Sequence, residues 1–219
     1  MTCFPQAKKI PGKYNLVVWH SNGIAFVNGI GIDGKEKVLD IKFDKGFKVS
    51  GKILLDSGKP ADMAMVVAVN ENDMPVANSS VNSDDGSYTL EVLLPKGKYR
   101  LFAIMKEYSV EAMELEVNSD MKLDAVLCKA GSARLKIKDP VRTEKLTLKT
   151  SDGKIALRLG KFSPSYRSLC DLGICLNNPG GETAVSGLRP GDYTLTYDDS
   201  GKQIKFTVKT LEESTVEIK

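Results

Sequence analysis

Along most of the chain apolar and polar residues alternate in short runs, and each run ends in a cluster of Gly, Pro, Asn, Asp or Ser. An alternation of period two puts one face of a strand on a core and the other in water, and such clusters are where a chain turns. Strands are predicted over residues 47–55, 63–70, 88–93, 99–105, 112–117 and 123–128, and again over 133–138, 145–150, 155–159, 182–186, 193–197, 202–208 and 214–219. Residues 70–75 read as a breaker, and no strand is predicted between them and residue 88. Two sets of six or seven short strands with turn signals at this frequency predict an all-β chain of antiparallel sandwiches. The stretch from Gly160 to Gly181 is irregular, with Pro and Ser but no alternation.

A turn motif recurs through this pattern. Pro11-Gly12-Lys13-Tyr14, Pro95-Lys96-Gly97-Lys98-Tyr99 and Pro190-Gly191-Asp192-Tyr193 each combine a Pro/Gly turn, a charged residue and a Tyr, and alternation resumes with Leu16, Leu101 and Leu195. Pro fixes φ for a turn, Gly permits positive φ, and the Tyr opens a strand whose alternate side chains face a core. Residues 38–45 line up with 122–129 as the closing strand of a module, and 214–219 closes the third copy, which puts the end of the chain at the end of a module. The repeat divides the chain into a partial module over 1–46, a complete one over 47–130 and a complete, more divergent one over 131–219. Some 45 residues with about three strands bury too little surface to fold alone. The first module is therefore expected to be truncated or to pack its apolar face on the second.

In the middle module Val49-Ser50-Gly51-Lys52-Ile53, Gly58-Lys59-Pro60, Asp84-Asp85-Gly86-Ser87-Tyr88 and Leu94-Pro95-Lys96-Gly97-Lys98-Tyr99 follow one another in order. This order resembles the carboxypeptidase regulatory-like family. The resemblance implies tandem sandwiches of transthyretin-like (prealbumin-like) or Ig-like architecture, usually accessory domains of extracytoplasmic proteins, and it carries over no active site. It covers only the second half of the first copy. It weakens in the front of the third, where Arg134-Leu135-Lys136-Ile137 replaces the glycine-containing strand.

The charge balance removes one class of partner. With 31 Lys and Arg against 28 Asp and Glu the formal charge is only +3, and the basic residues are scattered, so no electrostatic footprint for nucleic acid exists. The longest apolar stretches, 63–69 and 92–94, are far below the roughly 18–20 residues of a membrane span. The N-terminus lacks the apolar segment of a signal peptide, so an extracellular or cell-envelope location is implied by the resemblance alone. Cys170 and Cys175 enclose four residues, a spacing that suits a small disulfide loop or two reduced thiols but no zinc ribbon, and Cys3 and Cys128 stand apart from them. One histidine in the chain rules against a Cys/His metal cluster.

Catalytic chemistry finds little footing. His20 follows Trp19 at a strand end with no nucleophile motif near it, and reads as a surface residue beside a turn. The acidic stretch Asn82-Ser83-Asp84-Asp85-Gly86 lacks the spaced ligands and bidentate Glu of a calcium loop, and reads as a turn. Asp198-Asp199-Ser200-Gly201 reads as a hairpin turn between Tyr197 and Ile204. Tyr14, Tyr99 and Tyr193 are expected to be corner tyrosines, with the ring at the edge of a core and the hydroxyl bonded to backbone. Trp19, Tyr108 and Tyr166 are the candidates for exposed aromatic contacts. No catalytic, cofactor-binding or metal-binding residue is therefore assigned, and no cofactor is expected. The functional expectation is a non-catalytic extracytoplasmic spacer, adhesion or protein-interaction element, with a protein or polysaccharide surface as partner. A carbohydrate-binding accessory module and the accessory tail of a peptidase or envelope transporter are the alternatives.

Overall fold

The computed structural model describes residues 11–20, 23–34, 36–71, 74–137, 146–153, 155–159, 181–197 and 201–218. Every regular element among them is a β-strand. The chain opens with an antiparallel hairpin of β1 (Gly12–His20) and β2 (Gly23–Ile32). The ladder is interrupted by a bulge between Tyr14 and Leu16, where Gly29 sits at φ 70 and its amide donates to the Asn15 side chain at 3.0 Å.

Two sandwiches follow. In the first, β3 (Val49–Leu55) is flanked by β6 (Ser87–Thr89) on one side and by β9 (Met121–Lys122) and β10 (Ala125–Leu127) on the other. The facing sheet runs in the order β5 (Pro75–Ser80), β4 (Met65–Asn70), β7 (Gly97–Ile104), β8 (Glu111–Val117). In the second, β11 (Gly131–Ile137) lies between β14 (Gly181–Leu188) and β17 (Glu213–Ile218). It faces β13 (Ile155–Leu159), β12 (Leu146–Thr150), β15 (Gly191–Tyr197) and β16 (Gln203–Val208), in that order. The two topologies correspond strand for strand. In both, the first strand pairs in parallel with the last, β3 with β9 and β10, and β11 with β17. The other neighbouring strands pair antiparallel.

Side-chain alternation builds one core between each pair of sheets. The first holds Val49 and Ile53 of β3 and Leu127 of β10 against Val66, Ala68, Leu101 and Ala103 of β4 and β7. The second holds Ala133 and Leu135 of β11 and Val216 of β17 against Leu148, Tyr193 and Leu195. Met65 to Asn70 does not alternate between apolar and polar, and the reason is burial on both faces. Val67 and Val69 of β4, with Phe102 and Ile104 of β7, belong to the same apolar cluster as the second core, while Val66, Ala68, Leu101 and Ala103 belong to the first. A strand covered on both sides reads as a continuous apolar run.

Three expectations need correction. Residues 38–45 are not a strand, although Leu39, Ile41 and Phe43 alternate with Asp40, Lys42 and Asp44. The closing strands of both sandwiches are held by parallel pairing to a first strand, and no strand precedes β1 among the described residues to play that part. The strand β5 lies where none was predicted. It is an edge strand that begins on Pro75, and its outer side needs no donor at that position. In the turn motif Gly12 and Gly97 have no positive φ, and only Gly191 does, at 149. A Cβ on Gly12 or Gly97 would lie 3.5 Å from the ring of the tyrosine two residues on, an ordinary contact, so neither φ nor space requires glycine at these two positions. The stretch 160–181, and with it Cys170, Cys175 and Tyr166, lies outside the described residues apart from Gly181, as does Cys3.

Candidate functional site

The repeated tyrosines are architectural in two copies out of three. Tyr99 is 5% exposed and its hydroxyl donates to the Pro95 carbonyl at 3.0 Å; Tyr193 is 4% exposed and donates to the Arg189 carbonyl at 2.7 Å. Each ring closes the edge of a core while the hydroxyl ties down the turn four residues back. Burial pushes both phenols up to about 12, and the Glu71 charge adds to the shift at Tyr99. Tyr14 departs from the expected corner, at 44% exposed. Its motif starts a strand as in the other copies, but the half-sandwich that would cover its ring is not among the described residues.

A third buried tyrosine, Tyr88, holds the first sandwich at its crossing point. The Tyr88 hydroxyl donates to the Leu123 carbonyl at 2.9 Å, and burial together with the Asp124 charge raises its pKa. The same carbonyl presses on β3, since a Cβ on Gly51 would lie 1.9 Å from it. Gly131 meets a similar constraint at the start of β11, where a Cβ would lie 2.1 Å from the Lys209 carbonyl. Carboxylates on either side of β9 complete the ladder: Asp120, just before it, accepts from the Lys48 amide at 2.9 Å, and Asp124, between β9 and β10, accepts from the Lys52 amide at 2.7 Å.

The acidic stretch before β6 is a turn in atomic detail. Asn82 accepts from the Asp84 amide at 2.8 Å, Asp85 accepts from the Ser87 amide at 3.0 Å, and Gly86 takes φ 74. The hydroxyl and amide of Ser87 hold the Asp85 carboxyl below its usual value, helped by Lys52 at 3.6 Å. Among the described residues no group of three or more His, Cys, Asp or Glu is placed to hold a metal ion. The hairpin predicted around Asp198–Gly201 joins β15 to β16; Gly201 has φ 70, and residues 198–200 lie outside the described set.

The remaining candidates are dispersed. His20 is exposed at the end of β1, its ring 5.2 Å from that of Phe43. Trp19 is 56% exposed, yet its indole N–H donates to the Val76 carbonyl on the edge strand β5 at 2.7 Å, so it fastens the hairpin to the first sandwich. Tyr108 is not an exposed loop aromatic. It packs on the first core, with the Lys129 ammonium 4.2 Å from its ring centre. Cys128 is a free thiol beside the Ser109 hydroxyl, at 3.6 Å. No helix among the described residues is long and apolar enough to cross a membrane.

Sequence reasoning missed the joint between the sandwiches. The end of β14 and the loop to β15 reach the first sandwich: the Val110 amide donates to the Gly187 carbonyl at 2.7 Å, and the Arg189 guanidinium bonds Glu111 at 2.9 Å and the Val126 carbonyl at 2.7 Å. Gly187 has φ 71, and a Cβ there would lie 2.8 Å from a Val110 methyl. On the far side of the joint the Leu211 amide donates to the Ala130 carbonyl at 2.8 Å. Gly187 and Arg189 immediately precede the turn motif Pro190–Tyr193, where a glycine and a charged residue beside a turn are unremarkable. Nothing local marks them as joint residues.

A comparison with curated proteins finds no match. Among solved structures, the Bacillus anthracis TIE protein is 14% identical over 94% of this chain, with a TM-score of 0.31; the chain spans 41% of that protein's length. The minor pilin GBS52 of Streptococcus agalactiae is 15% identical, covering 78% of this chain and 94% of that one, with a TM-score of 0.31. The shaft pilin spaA of Lactobacillus rhamnosus GG is 10% identical, covering 80% and 98%, with a TM-score of 0.33. Overlays this loose decide nothing about function. Residues 44–127, the stretch that forms the first sandwich, match the model of the family described as BOS complex subunit NOMO1-like, second beta sandwich domain.

Proposed function

We propose that the chain is a non-catalytic spacer and protein-interaction element of a larger extracytoplasmic protein or assembly, with 47–130 and 131–219 as its complete modules and 1–46 as a partial one. The observation that carries this reading is the joint. The sheet of β4 and β7 is buried on both faces, and Val67, Val69, Phe102 and Ile104 share a cluster with the second core. Gly187 and Arg189 add hydrogen bonds from the second sandwich to Val110, Glu111 and Val126. A continuous apolar contact with directional bonds at its rim resists bending, and holding other parts at a fixed separation requires that property. The non-catalytic part is supported by the dispersal of His20, the acidic turn and Cys128 over separate regions. Extracytoplasmic placement and the carboxypeptidase regulatory-like relationship rest on the motif order in the first sandwich.

NMR alignment tensors measured separately for β3 to β10 and for β11 to β17 are expected to coincide. Two unrelated tensors would remove the rigid-spacer reading. A hydrolase activity lost on His20→Ala would remove the non-catalytic one. The carbohydrate-binding alternative loses Tyr108, which is packed on a core, while Tyr166 lies outside the described residues.

A further inference from the structure

Residues 38–45 carry the sequence of a closing strand without its hydrogen bonds. They align with 122–129 residue for residue: Leu39, Asp40 and Lys45 repeat Leu123, Asp124 and Lys129, and Glu36 stands where Asp120 stands. In the first sandwich this segment closes the module by parallel pairing to β3, with the Met121 amide donating to the Lys48 carbonyl at 2.9 Å and the Leu123 amide to the Ser50 carbonyl at 2.8 Å. Asp120 and Asp124 accept from the Lys48 and Lys52 amides on either side. The second sandwich closes in the same sense, β17 on β11.

From Glu36 to Lys45 no residue belongs to a ladder, and no backbone hydrogen bond joins the segment to another described residue. Its side chains nevertheless sit as those of a closing strand do. Ile41 and Phe43, the counterparts of the buried Ala125 and Leu127, are half-buried, and the Phe43 ring lies 5.2 Å from that of His20. Asp40, Lys42 and Asp44 are exposed, and Val38 is 85% exposed. The segment is thus seated through alternate side chains while its amides and carbonyls lack a strand partner. Backbone groups left in this state are a template for a further strand.

We propose that residues 38–45 accept a strand of a partner polypeptide by parallel addition, and that this strand is patterned like Val49-Ser50-Gly51-Lys52-Ile53. The glycine sets the specificity. Gly51 passes so close to the Leu123 carbonyl that a Cβ would lie 1.9 Å from its oxygen. Leu39 holds the Leu123 position, so its carbonyl demands a glycine of the strand laid against it, and Asp40 is placed to accept from the amide that follows. A second copy of this chain is a poorer occupant, because its own first strands are engaged on both sides, β3 by β6 and by β9 with β10, and β11 by β14 and β17. This gives the interaction reading a site and a class of partner, and it rests on that reading. The alignment tensors of the two sandwiches do not depend on residues 36–45, so the two tests fail separately.

The probe is a synthetic peptide of residues 47–56 of this chain, added to the full-length protein, with exchange of single amides followed by NMR over residues 36–45. Successive amides of a paired strand point to opposite sides. Saturable protection is therefore expected at Lys37 and Leu39, the counterparts of Met121 and Leu123, and not at Val38 or Asp40. Gly51→Val in the probe and Asp40→Ala in the protein, a change at an exposed position, are each expected to weaken binding about 10-fold. Absence of protection, protection spread evenly over 36–45, or protection indifferent to either change overturns the proposal. So does protection that rises with protein concentration without the probe, which would assign the segment to a second copy.

Discussion

A Cβ on Gly51 would lie 1.9 Å from the Leu123 carbonyl oxygen, a backbone atom held in place by the Tyr88 hydroxyl and therefore unable to retreat. Gly51→Ala is expected to destabilise the first sandwich by about 3 kcal/mol in urea unfolding, the scale of forced overpacking. At Gly58, with φ 79 and nothing within 4 Å of a Cβ, alanine costs only the left-handed backbone, about 1–2 kcal/mol. The corner tyrosines set up a second contrast. Tyr99→Phe and Tyr193→Phe each leave a turn carbonyl without its donor, and a loss of about 1–2 kcal/mol is expected in denaturant midpoints, with a smaller effect for Tyr14→Phe. The folded phenols titrate at about 12 against about 10 in an unfolded chain. A folded pKa above the unfolded one contributes stability that is complete below pH 10 and lost as pH rises toward 12. Unfolding midpoints measured from pH 8 to 12 are expected to be flat and then to fall, and the fall is shallower in Tyr99→Phe. The motif identified Tyr99 and Tyr193 as corners because a turn and its tyrosine are local. Whether a ring is covered depends on residues far along the chain, and so Tyr14 carries the same letters with a different burial.

At the scale of elements, the strand pattern was legible wherever one face meets a core and the other meets water. It failed in two instructive ways. Residues 38–45 have the alternation of a strand without its ladder, since pairing is supplied by another segment. The strand β5 has a ladder without the alternation, because Pro75, Asn78, Ser79 and Ser80 are tolerated at a sheet edge. That edge is where Trp19 reaches the Val76 carbonyl, covering a position that would otherwise attract a foreign strand. Trp19→Phe keeps an aromatic ring and removes the donor. Exchange in β1 and β2 is expected to accelerate roughly 5-fold, the equivalent of about 1 kcal/mol, with protection in β7 unchanged. Equal acceleration in β7 would mean that the hairpin and the sandwich open as one unit.

For the whole molecule the joint decides how the two sandwiches respond to stress. Because one sheet contributes to both apolar clusters, heat or denaturant is expected to unfold the pair in a single transition. Gly187→Val places methyl groups against Val110, where a Cβ alone would lie 2.8 Å from a side-chain carbon, and it imposes strain at φ 71. Two separate calorimetric transitions are expected in that variant, and one unsplit transition at the original temperature would show that the joint does not couple the units. The sequence could not display this, since the joint joins residues such as Val110 and Gly187 whose proximity exists only after both sandwiches have formed.

The parallel pairing of first and last strands has a mechanical consequence. Ser50 lies beside Lys122 and Leu55 beside Leu127, so the chain enters the first sandwich at one end of that ladder and leaves at the other; Ser132 beside Glu213 and Ile137 beside Ile218 repeat the arrangement in the second. Tension along the polypeptide therefore loads these hydrogen bonds in shear, all at once, and does not peel them apart one after another. A tether built this way stays folded under pulling until the whole ladder slips. In single-molecule stretching, attachment through residues 49 and 127 is expected to need a clearly higher force than attachment through residues 97 and 117, a Gly97 and Val117 pair at one end of an antiparallel ladder that opens as a zipper.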